Sequence, residues 1–222
     1  MVYVITGANR GIGLELCPQV KERGDEVVAV CRHRSADLDK LGARVIDGVD
    51  VRNLDDVRRL REQLDGTKID VLINVAGILS NQQLGKIDEP AIEAIRAQFE
   101  VNALGPVLVT QALMDLLHKG SKVGIITSRM GSIADNGSGG SYGYRMSKAA
   151  VNAAGKSLAI DLEPRGISVV LLHPGYVRTD MTGGSGGIDP EEAARGLLAR
   201  LDDLSLETTG SFWHQNGEQL PW

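Results

Sequence analysis

Val2–Gly13 reads VYVITGANRGIG, and its reading decides the fold. Apolar residues of an opening strand run up to Thr6. Gly7, Gly11 and Gly13 follow in one turn, and Ile12-Gly13-Leu14-Glu15-Leu16 begins a helical pattern. Strand, glycine turn and helix start together make the arrangement that holds a dinucleotide. Gly7 permits a tight turn, Gly11 lets backbone approach a pyrophosphate, and Gly13 lets the helix sit close on the sheet. The free N–H groups and the positive dipole end of the helix then face the phosphates. Asn9, Arg10 and Ile12 fill the turn and belong to the same expected contact surface.

Outward from this stretch, strand patterns alternate with helical ones. Strands are predicted at Glu26–Cys31, Arg44–Val49, Ile69–Asn74, Lys122–Thr127, Ile167–Leu172 and Gly210–Gln215. Helices are predicted at Leu54–Leu64, Glu89–Leu104, Pro106–His118, Tyr142–Leu162 and Pro190–Leu201. Such alternation over 222 residues, with no linker or repeat, implies one α/β domain. The expected fold is a single-domain Rossmann-type doubly wound parallel sheet with helices on both faces. Gly131–Gly143 reads as a Gly/Ser loop over the site. Thr182–Asp189 (TGGSGGID) reads as a mobile lid.

Composition narrows the function. The net charge of −5 and the scattered basic residues argue against nucleic-acid binding. No apolar run is long enough to span a bilayer, and the start lacks a basic leader, so a cytoplasmic protein is expected. Two cysteines, Cys17 and Cys31, read as free thiols. The four histidines are far apart and show no ligand spacing, so no metal is expected.

Several polar residues fall where strands and helices end. Asn74-Val75-Ala76-Gly77 lies just past a strand's carboxyl end, and Asn102 falls within a helical pattern. Ser128 follows the fifth strand. Tyr144 and Lys148 share one helix face at i and i+4. Taken singly, each has a bland reading as a packing or solvated residue.

With these residues in order, the chain resembles the short-chain dehydrogenases/reductases along nearly its whole length. The matching motifs are Thr6-Gly7-(x3)-Gly11-x-Gly13, Asp50-Val51, Asn74-Val75-Ala76-Gly77, Asn102, Ser128, Tyr144-(x3)-Lys148 and Pro174-Gly175. Within that family, Ser128-Arg-Met-Gly, Tyr144-Arg-Met-Ser-Lys and the stretch from His173 to Met181 look like small carbonyl reductases and C-factor-type proteins.

The resemblance implies hydride transfer between a nicotinamide cofactor and a ketone, aldehyde or alcohol. Tyr144 is then the general acid, its pKa lowered by the Lys148 ammonium. Ser128 hydrogen-bonds the substrate oxygen. Lys148 also holds the nicotinamide ribose, and Asn102 holds a water that relays protons to the lysine. Asp50 meets the adenine, while Val177 and Thr179 meet the carboxamide.

The second strand ends in Cys31-Arg32-His33-Arg34, without the acid that selects NAD. Arg32, with Arg10 beside it, favours NADP(H), since guanidinium pairs with phosphate in bidentate fashion. Arg32 and Arg34 as plain solvated charges are the alternative. Met130, Tyr142, Tyr176 and Met181 are candidate walls of an open substrate pocket, or loop packing. By resemblance the long helices pair across a two-fold axis, giving a homodimer or homotetramer. A nucleotide-binding signalling protein with little turnover is the competing function.

Overall fold

The computed structural model describes residues 1–222. Seven strands form one parallel sheet in the order β3-β2-β1-β4-β5-β6-β7. They are β1 (Val2–Thr6), β2 (Glu26–Val30), β3 (Arg44–Ile46), β4 (Ile69–Asn74), β5 (Leu117–Ile126), β6 (Ser168–His173) and β7 (Ser211–His214). The helices are α1 (Gly11–Glu22), α2 (Ala36–Lys40), α3 (Leu54–Gln63), α4 (Glu89–Phe99), α5 (Gly105–Leu113), α6 (Tyr142–Leu162) and α7 (Pro190–Asp202).

Strands such as VVLL and VLI bury side chains on both faces, as parallel strands between two helix layers must. One core packs Leu16, Val20, Leu197 and Leu201 of α1 and α7 on the sheet. The other packs Val57, Leu60, Val109 and Val151 of α3, α5 and α6 on the opposite face. The strand order reverses direction between β1 and β4, so a crevice opens at their carboxyl ends. Thr6 holds that crevice, its Oγ1 accepting from the N–H groups of Val75 (3.1 Å) and Ala76 (3.3 Å).

Several elements differ from the sequence reading. The predicted Arg44–Val49 strand stops at Ile46, because Gly48 takes a positive φ of 71° and turns the chain. The one-and-a-half-turn α2 is additional; Ser35 caps it by accepting from Leu38 N–H, and Leu38 is fully buried. The predicted helices Glu89–Leu104 and Pro106–His118 are instead α4, a π-helical turn over Glu100–Leu104, α5, and a short 3-10 turn ending at Leu116. His118 lies in β5, whose early start is bonded by Ser121: its Oγ donates to Ile69 O (2.7 Å) and accepts from His118 N–H (2.9 Å).

The segment read as a mobile lid is tied to itself. Val177 pairs with Ile188, Gly187 N–H donates to Tyr176 O at 2.9 Å, and Arg178 meets Asp189 at 2.7 Å.

Candidate active site

A groove of about 370 Å³ runs along the carboxyl ends of β2, β1, β4 and β5. Its floor at one end is the glycine turn. A Cβ on Gly13 would lie 2.3 Å from Gly7 O, and one on Gly7 would lie 2.8 Å from the Ala76 backbone. Only glycine fits either position, so bare backbone and the α1 N-terminus face the groove. No acidic side chain sits in the first turn of α1 to compete with a phosphate. Gly7, Asn9, Arg10, Gly11, Ile12 and Gly13 all line this end.

The second lobe lies past β2. Arg32 and His33 line it beside Asp50 and Val51. The Arg32 guanidinium is mostly exposed and stands 3.9 Å from the Asp50 carboxylate. Asp50 itself is gripped by Arg52 at 2.7 Å, which holds its carboxyl below the usual range. A bare glycine floor followed by two guanidinium groups and no acid at the end of β2 fits a phosphorylated dinucleotide.

Toward the other end the groove meets Ala76, Gly77, Tyr144, Lys148, Pro174, Thr179 and Met181. Tyr144 and Lys148 lie in the first two turns of α6 and are both buried. The Lys148 Nζ donates to Ile126 O at 2.8 Å and lies 5.8 Å from the centre of the Tyr144 ring. Burial pushes Lys148 down to about 8. Burial also pushes Tyr144 up to about 12, with the Ser128 hydroxyl beside it pulling weakly the other way. The expected lowering of the Tyr144 pKa by the ammonium is therefore corrected: the shift is upward, and desolvation of the phenolate is its main cause. Ser128, two residues past the end of β5, caps a 3-10 turn and accepts from Met130 N–H at 3.1 Å.

Asn102 sits in the π-helical turn, a feature that often marks functional sites. Its Oδ1 accepts from Ile78 N–H (2.8 Å), and its Nδ2 donates to Ile78 O (2.9 Å) and Ser147 Oγ (3.0 Å). The amide therefore fastens the Gly77–Ile78 backbone to α6.

Other expected contacts fall beside the groove. Asn74 is buried and donates to Thr110 Oγ1 at 3.2 Å. Gly175 turns with φ 90°, and Val177 is buried in its pairing with Ile188. Of the four candidate walls, only Met181 lines the groove. Met130 and Tyr142 are half-buried outside it, and Tyr176 is 60% exposed. The sequence reading missed Ile78 and Asp180 on the groove wall. It also missed Asn152, one turn beyond Lys148, which accepts from Thr127 Oγ1 at 2.7 Å. Asn152 continues the i, i+4 series from Tyr144 and Lys148, a signal that was there to be read.

Comparison with known proteins places the chain in a family. Residues 1–187 match the family model for short chain dehydrogenase. The chain is 43% identical over 225 residues to a 1-hydroxy-2-glutathionyl-2-methyl-3-butene dehydrogenase of Rhodococcus sp. strain AD45, covering 99% of this chain and 98% of that one. It is 44% identical over 157 residues to the C-signal of Myxococcus xanthus, covering 69% of this chain and 93% of that one. Among solved structures, the NADPH-bound carbonyl reductase from chicken fatty liver superposes with a TM-score of 0.89 at 26% identity, covering 100% of this chain and 98% of that one. The extent of these matches shows that the chain belongs to the short-chain dehydrogenase family of oxidoreductases.

Proposed function

We propose that this protein transfers a hydride between NADP(H) and a carbonyl substrate, reducing a ketone or aldehyde to the alcohol and reversibly oxidising the alcohol. The observation that carries this reading is that Tyr144 and Lys148 line the inner end of the nucleotide groove together, with the Ser128 hydroxyl beside the phenol. The bound nicotinamide supplies or accepts the hydride.

The residues do the rest. Tyr144, kept protonated by burial, donates its phenolic proton to the carbonyl oxygen as negative charge builds there. Ser128 donates a hydrogen bond to the same oxygen and helps hold the charge. Lys148 supplies a buried cation beside the phenol and a hydrogen-bond donor for the ribose. Arg32 lines the lobe where a 2′-phosphate would lie, and Arg10 lines the glycine-turn end of the same groove, which supports NADP(H) over NAD(H). The carbonyl reductase with bound NADPH supports the same choice, and the Rhodococcus dehydrogenase supports an alcohol or carbonyl as the reacting group.

No helix is long and apolar enough to cross a membrane. Free, buried Cys17 and Cys31 suit a reducing cytoplasm. Exposed Phe99 and Leu104, with Met146 on α6, support pairing into a homodimer or homotetramer. The likeness to the C-signal supports a second reading, nucleotide binding that serves signalling with little turnover.

Steady-state oxidation of NADPH and NADH against aromatic, aliphatic and diketone carbonyls tests the proposal. Turnover with NADPH that Tyr144→Phe abolishes, with nucleotide binding retained, is the expected result. Tight NADPH binding with no carbonyl reduced moves the signalling reading ahead.

A further inference from the structure

Beyond β7 the chain turns back on the sheet edge. His214 N–H donates to Glu218 O and Leu220 N–H to Phe212 O, each at 2.8 Å. Leu220 is buried against Leu171 and Phe212, and the Trp222 ring stacks on Phe212 at 5.5 Å. This returning segment does not line the nucleotide groove. Besides backbone bonds to β6 and β7, such as Gln215 N–H to His173 O at 2.9 Å, it makes polar contacts with the stretch directly after Ser128. The main-chain oxygen of Trp222 accepts from Ser132 Oγ (3.1 Å) and from Ala134 N–H (3.0 Å). The Glu218 carboxylate meets Arg129 at 2.6 Å, and Arg129 also reaches Asp135 at 3.4 Å.

The same stretch is held from its other side by α6. A Cβ on Gly131 would lie 2.6 Å from the Lys148 carbonyl carbon, so this turn rests on the backbone of the lysine itself. Arg145 donates to Met130 O at 3.4 Å. Residues 129–135 are thus clamped between the helix that carries Tyr144 and Lys148 and the returning strap. Ser128 is bonded into that clamp through Met130 N–H.

We propose that residues 214–222 are a positioning strap for Ser128. Glu218, through Arg129, and Trp222, through Ser132 and Ala134, hold the turn that sets the Ser128 hydroxyl opposite Tyr144. The proposal rests on Ser128 being the hydroxyl that binds the substrate oxygen. A strap of this kind touches neither cofactor nor substrate, so its loss acts on the chemical step rather than on nucleotide binding.

The experiment measures kcat and KM for a carbonyl that the parent reduces, Kd for NADPH, and the melting temperature. The variants are Glu218→Gln, Ser132→Ala and a chain cut after Leu220, each made in the parent and in the Ser128→Ala background. In the parent background the cut lowers kcat about tenfold or more, and the two point substitutions lower it several-fold. The Kd for NADPH stays within about twofold throughout. In the Ser128→Ala background the same changes cost no more than about twofold, because the group they position is already gone. If the cut chain melts without cooperativity, the two point variants decide.

Losses of equal size in both backgrounds, or parent-like kcat in all three variants, overturn the strap alone. Ser128→Ala at the parent rate, or a parent with no turnover, removes the reading of Ser128 and the strap with it.

Discussion

Lys148 points its Nζ at the main-chain oxygen of Ile126, 2.8 Å away, fully buried and with no carboxylate partner. The hydrogen bond fixes the ammonium at the end of β5, but it does not offset desolvation. Burial alone holds the lysine at about 8, against 10.5 for the free side chain.

The sign of the linkage is set by that depression. Between about pH 8 and 10.5 the unfolded chain binds a proton that the folded chain has released, so stability rises with pH through this window. Below it the folded protein carries the whole cost of an unpaired buried ammonium, on the order of 3 kcal/mol. Lys148→Met removes that cost and leaves Ile126 O without a donor, a loss of about 1–3 kcal/mol. The variant is therefore expected to match or exceed the parent's urea midpoint at pH 7 without nucleotide, while losing about a hundredfold or more in activity. Its advantage shrinks by pH 10. A variant clearly less stable than the parent at pH 7 contradicts this account.

Tyr144, raised to about 12, is protonated across the physiological range. Carbonyl reduction, which takes the proton, is expected to be flat from pH 6 to about 8. Above that it declines as Lys148 loses its charge. Alcohol oxidation needs the phenolate and is expected to rise with pH, up to about tenfold per unit. Profiles of kcat/KM in both directions check this; reduction that climbs steadily with pH rules out Tyr144 as the acid.

Arg32 has a weak hold on Asp50 at 3.9 Å, which leaves its guanidinium free for phosphate. Charge-assisted bonds to an anion contribute about 1.5–3 kcal/mol. Arg32→Asp is expected to raise the Kd for NADPH about tenfold or more and to change that for NADH by less, narrowing or reversing the preference. Fluorescence titration of both nucleotides measures it. An unchanged ratio assigns phosphate recognition to another group, Arg10 being the other guanidinium that lines the groove.

The parallel sheet and the nucleotide end of the site were legible because they depend on local pattern. Valine-rich strands, a glycine turn and an i, i+4 pair on one helix each declare themselves within a few residues. What escaped the sequence depends on distant contacts. The π-helical turn exists where Asn102 reaches across to Ile78 and Ser147, and no helical periodicity announces that. The lid-like glycines of residues 183–187 are tied by Arg178 to Asp189, so composition suggested mobility where an ion pair and a strand bridge impose order. The tyrosine pKa moved opposite to expectation because proximity to a lysine is visible in sequence, whereas the depth of burial is not.

Asn102 separates two roles that the family resemblance and the geometry assign differently, a proton relay and a clamp. Its amide makes three hydrogen bonds, two of them to the Ile78 backbone. Asn102→Ala strands the N–H and C=O of Ile78 in a part-buried place, at about 1–3 kcal/mol for each group left unpaired. It also frees Gly77, which packs against Oδ1 and lines the groove. A clamp predicts a melting temperature lower by roughly 5–10 °C and weaker NADPH binding, with kcat reduced only in part. Asn102→Asp replaces the amide donor facing Ile78 O with an acceptor, so the same account predicts a similar fall. A pure relay predicts the reverse pattern, with kcat lost while melting and nucleotide binding stay at parent values. Scanning calorimetry, NADPH titration and kcat on the two variants distinguish the roles, and a parent-like melting temperature in Asn102→Ala sinks the clamp.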